Sequence, residues 1–64
     1  MSGYNTRWSV STIEFLLDDG FFDDPSHKQD LTLAINELGV HFKYGVISEQ
    51  KYSFLINSLK NKQE

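Results

Sequence analysis

Asp30–Gly45 reads DLTLAINELGVHFKYG, the longest helix-compatible run in the chain. At about 100° per residue, Leu31, Ala34, Ile35, Leu38 and Phe42 fall on one helical face. Their i, i+3, i+4, i+7 spacing is the pattern of a helix packed on a core. Leu33 and Val40 break it, lying roughly 180–200° from that face by the same rotation. In a small bundle a helix hides an arc of about 100–150°. A second apolar line therefore calls for a second partner: another subunit, a target protein or a further packing element. Isolated apolar residues on a surface are also ordinary.

Gly39 interrupts the run, at about 1 kcal/mol against Ala in a helix interior. Either the helix continues, with another backbone passing close to Gly39, or it ends at Leu38 with Gly39 as a left-handed cap. In the second case Val40, Phe42 and Tyr44 alternate as a short strand within 40–46. The continuous helix is preferred.

Toward the C-terminus, Gly45-Val46-Ile47-Ser48 is the clearest turn. Gly45 fits a left-handed cap, Ser48 the next N-cap, and Glu49 the positive helix end. Ile47 and Tyr52 have the spacing of a hydrophobic staple. So short a connection makes the flanking helices antiparallel neighbours or a steeper helix–turn–helix. The last helix carries Tyr52, Leu55, Ile56 and Leu59 on one face, with Phe54 roughly 160–200° away. Lys60 and Lys62 suit its negative end, and the residues from Asn61 onward read as a frayed tail.

Toward the N-terminus lies DDGFFDD, Asp18–Asp24. One reading is an acidic-aromatic contact loop for a basic, greasy partner. The structural reading makes Asp24 a cap, Pro25 the first helical residue and one Phe a core plug. The signal for a calcium loop is weak, because D-x-[DN]-x-[DN]-G is not met and no Glu closes the loop at the required spacing. Ser26 and Gln29 offer a further capping box if the central helix starts slightly later. Before the loop, Ser11 and Glu14 have capping-box spacing, and Val10 and Phe15 staple spacing. Ile13, Leu16 and Leu17 supply a buried stripe from which Phe15 points away, and Gly20 closes the helix. The first residues are polar with two aromatics, Tyr4 and Trp8. Tyr4, Thr6, Trp8 and Val10 alternate, yet a lone strand has no certain partner, so an extended arm with Trp8 across the bundle is preferred.

The expected fold is all-α. It is a small three-helix bundle over 11–19, 25–44 and 48–61, with an extended arm over 1–10 and a frayed tail over 62–64. The whole chain, 1–64, forms a single domain. A domain of this size buries only about 60% of its unfolded surface, so dense packing or association must support it. With no cysteine there is neither a disulfide framework nor a thiolate metal site. No apolar run reaches the roughly 18–20 residues that span a bilayer, and no secretory signal is visible. A soluble cytoplasmic protein is the expectation. The net charge of −3 is unevenly placed. Through Asp24, Arg7 stands against Glu14, Asp18, Asp19, Asp23 and Asp24; beyond it, the lysines slightly outnumber the acids. Such a balance argues against nucleic acid as a partner.

Enzyme chemistry finds no foothold: no Cys nucleophile, no G-x-S-x-G, no phosphate loop, no zinc spacing. His27 and His41 are too far apart for a metal motif, and His41 reads as a half-buried packing residue. No catalytic residue, cofactor, metal or small-molecule ligand is expected. Thr32–Val40, TLAINELGV, resembles the start of the repressor-type helix-turn-helix, which implies a DNA-binding regulator as the alternative. It departs from that pattern by one position between Ala34 and Gly39, and HFKYGVIS makes a poor recognition helix.

The preferred reading is a small acidic protein that acts by protein–protein contact, as a homodimer or as an inhibitor or adaptor docked on a larger protein. Phe15, Leu33, Val40 and Phe54 lie off the core stripes of their helices, and Phe22, Tyr44, Asp19 and Asp23 join them as candidate partner-binding residues. Small regulators of bacterial or phage type have this general character, an analogy of size and charge.

Overall fold

The computed structural model describes residues 6–63. Met1–Asn5, including Tyr4 of the arm, and Glu64 lie outside the described residues. The fold is an all-α bundle of three helices: α1 (Val10–Asp19), α2 (Lys28–Lys43) and α3 (Glu49–Asn61). Two single 3-10 turns, Phe21–Asp23 and Pro25–His27, link α1 to α2. There is no strand among the described residues, so the 40–46 alternative is not adopted.

α1 begins at Val10, one residue before the expected start, and its cap lies two residues earlier than expected. Its cap is Ser9, not Ser11: the Ser9 hydroxyl accepts from the Thr12 N–H at 3.2 Å. That places Trp8 just before the cap and Ile13 at the fourth helical position, which is the staple spacing. Ile13 is fully buried and Trp8 packs against the same core. The expected Val10–Phe15 staple is therefore not the one used, and Phe15 is left 66% exposed. Gly20 closes α1 at φ +86°, where other residues are strained.

Asp24 caps the next turn as expected, accepting from the Ser26 N–H and hydroxyl, both at 2.9 Å, with Pro25 at the first position. The helix does not continue from there. The Ser26 hydroxyl turns back to donate to Asp24, the Ser26–Gln29 capping box is not formed, and α2 starts at Lys28 with His27 at its cap position. α2 then runs unbroken through Gly39. No backbone passes close there: a Cβ at Gly39 would meet the Tyr52 hydroxyl at 3.9 Å, an ordinary contact.

α2 ends in a Schellman motif around Gly45, at φ +75°. The Val46 N–H donates to His41 O at 2.9 Å and the Gly45 N–H to Phe42 O at 3.0 Å. Ser48 caps α3, accepting from the Lys51 N–H at 3.2 Å, while Ile47 and Tyr52 both pack against the core. α2 is the central element, packing on α3, on α1 and on both turns. Ile13, Phe22, Leu31, Ala34, Leu38, Leu55 and Leu59 form the core. Phe42, expected on the core face, sits at its rim and stacks on Tyr52 with ring centroids 4.5 Å apart. Just past α3, Lys62 pairs with Asp23 at 2.6 Å. No described helix is long and apolar enough to cross a membrane.

Candidate functional site

Two features stand out: a buried polar clamp on the N-terminal arm, and an open groove between α1 and α3. The clamp belongs to α2. Glu37 and His41 are one turn apart, with relative exposures of 8% and 2%. The Glu37 carboxylate accepts from the backbone N–H of Arg7 through one oxygen and from that of Trp8, at 2.7 Å, through the other. His41 Nε2 donates to Trp8 O at 2.8 Å. A carbonyl only accepts, so Nε2 carries the proton. Both carboxylate oxygens and this imidazole nitrogen are engaged with main chain, which makes the pair a structural fastening. His41 is thus fully buried rather than half-buried. Sequence reasoning passed over Glu37. Its signal was a carboxylate one turn from a histidine at the edge of the apolar face, opposite an arm whose N–H groups needed acceptors.

The groove lies on the side of α1 and α3 away from α2, with a volume of about 410 Å³. Glu14, Leu17 and Asp18 form the α1 wall. Leu55 lies in its floor, and Phe54, Ser58 and Lys62 form the α3 wall. α1 and α3 run in the same sense, because Glu14 pairs with Lys51 at 2.8 Å near their starts and Asp23 with Lys62 past their ends. These ion pairs frame the two ends of the groove. Phe54, on its α3 rim, is 68% exposed. Phe15 is about 60° round α1 from Asp18, just outside the opposite rim. Asp18 and Asp19 are the last residues of α1 and make no ion pair among the described residues.

No protein-family model matches the chain, nor does any curated protein or solved structure.

The candidate residues are thus scattered over the molecule. Phe54 lines the groove, Phe15 and Asp19 lie on α1 outside its lining, and all three are exposed. Asp23 is exposed but held by Lys62. Leu33, Val40 and Tyr44 share a different stripe on α2: the first two are half-buried, and Tyr44 is 48% exposed. Phe22 leaves the candidate set. It is a core residue, in edge-on contact with Phe21 at 5.3 Å and tilted against Trp8 at 6.1 Å. His27 completes the corner: it stacks on Phe21 at 3.8 Å, and its Nδ1 lies 2.8 Å from Phe21 O. The 18–24 loop therefore takes its structural form, with its aromatics turned inward. Thr32–Val40 lies wholly inside α2, so the turn on which the helix-turn-helix resemblance depends is not at Gly39.

Proposed function

We propose that the protein is non-enzymatic and works by contact with another protein, as a small docked inhibitor or adaptor. One observation carries this reading: Phe54, the most exposed large apolar side chain among the described residues, lines an open groove, and Phe15, nearly as exposed, stands on the helix that forms the groove's other wall. Each aromatic left in water forgoes roughly 1.5–3 kcal/mol of burial. Aromatic side chains clustered at a concave surface are enriched where proteins meet. Self-association is the second use open to this surface, since a twofold contact would enlarge a small core.

Sedimentation of the purified protein, together with copurification from the cells that encode it, tests the reading. A specific complex or a dimer is expected, lost in a Phe15→Ala/Phe54→Ala variant whose melting temperature is unchanged. A monodisperse monomer that copurifies with nothing would overturn it.

A further inference from the structure

The groove has a chemistry that selects among partners, and the choice rests on the protein-contact reading above. Its floor and α3 rim are apolar, through Leu17, Leu55 and Phe54. Its charged rim is unbalanced. Lys51 and Lys62, the lysines framing it, are each already paired, with Glu14 and Asp23. Asp18 and Asp19 have no such partner among the described residues. They also occupy the last turn of α1, which contains no basic residue. The helix dipole puts its negative end there, which disfavours a carboxylate. Asp18 lines the groove, so a cation entering there would relieve the unfavourable dipole interaction.

The shape points to a helix. Phe54 to Lys62 on α3 spans roughly 12 Å at 1.5 Å per residue, about two helical turns. α2 covers one side of the α1–α3 pair, and the groove is the open side. A helix laid there would complete a four-helix arrangement and bury Phe54. A second copy of this acidic chain is disfavoured as the occupant, because its net charge of −3 repeats the sign of the rim.

We infer that the α1–α3 groove is a docking site for a basic amphipathic helix of a partner protein, which seats apolar residues against Leu17, Leu55 and Phe54 and places Lys or Arg against Asp18. The probe is a synthetic amphipathic peptide of Leu and Lys, about 18 residues long so that it holds a helix. A Leu/Glu peptide of the same pattern is the control. Each is titrated into the isotope-labelled full chain while amide signals are followed by NMR. With the Leu/Lys peptide, signals of Asp18, Phe54 and Ser58 move. Affinity falls at least about tenfold in Phe54→Ala and in Asp18→Asn, and it weakens with added salt. The Leu/Glu peptide leaves the spectrum unchanged.

Four results overturn the inference: no Leu/Lys binding, equal binding of both peptides, undiminished binding by the variants, or shifts confined to the Leu33–Val40 side of α2. A dimer of the protein alone that Phe54→Ala dissolves would also overturn it, by putting a second copy in the groove. None of these touches the broader protein-contact reading, which stands or falls on copurification and sedimentation.

Discussion

Each oxygen of the Glu37 carboxylate takes one backbone N–H, from Arg7 and from Trp8. Hydrogen bonds to a charged acceptor are worth more than neutral ones, and losing the acceptor strands two donors at a part-buried site. Glu37→Ala is expected to cost about 2–3 kcal/mol, read from urea unfolding. Glu37→Gln keeps a single acceptor oxygen and should fall between Ala and the parent. Asp24 makes a second residue-scale case. The Ser26 N–H, and then the Ser26 hydroxyl, favour its charged form and hold its carboxyl below the ordinary aspartate value. A lowered native value means that Asp24 stabilises the fold above the unfolded-state value. The contribution is lost as pH falls through the native value. Asp24→Ala should lower the melting temperature at neutral pH and flatten its decline in acid; Asp24→Asn, still able to cap, should flatten that decline with a smaller loss at neutral pH. Melting curves from pH 7 down to about 2 would show both.

The element boundaries were legible wherever one local signal stood alone. Gly45 and Ser48 act as the sequence suggests, because cap and staple chemistry is contained in a few adjacent residues. The start of α1 was harder to read, because Ser9 and Ser11 are both plausible caps. Trp8 decides between them: docked on the core beside Phe22, it brings Ser9 to the helix end. That contact joins residues far apart in sequence and leaves no local trace. Similarly, the break between Pro25 and Lys28 follows from Asp24 and His27 bonding within the loop, which a helical pattern does not reveal. Gly39 carries a prediction at this scale. α2 is regular there and a Cβ would meet only ordinary contact at 3.9 Å. Gly39→Ala should therefore stabilise the protein by up to about 1 kcal/mol, measured as a higher urea midpoint with unchanged slope.

At the scale of the whole molecule, the three-helix architecture followed from apolar periodicity, while the role of Phe22 did not. A loop has no period, so nothing local distinguishes the Phe that turns inward. Among the described residues Phe22 is one of seven buried apolar side chains. Phe22→Ala is expected to cost about 3–5 kcal/mol, against a total of about 5–15 kcal/mol for a typical domain. Thermal circular dichroism should show a large drop in melting temperature. The candidate surface was half legible. Phe15 and Phe54 announced themselves by lying off their stripes, and both are exposed. The groove that Phe54 lines arises from how α1 and α3 sit beside one another, which a helical wheel drawn for each alone cannot contain. The Glu37 clamp has a further consequence for evolution. It grips position 7 by the main-chain N–H while the Arg7 residue stays exposed. Mutational drift at that site should be nearly free, with proline the forbidden letter because it lacks the N–H. Selection would fall on position 37, which supplies the acceptor whatever residue it faces.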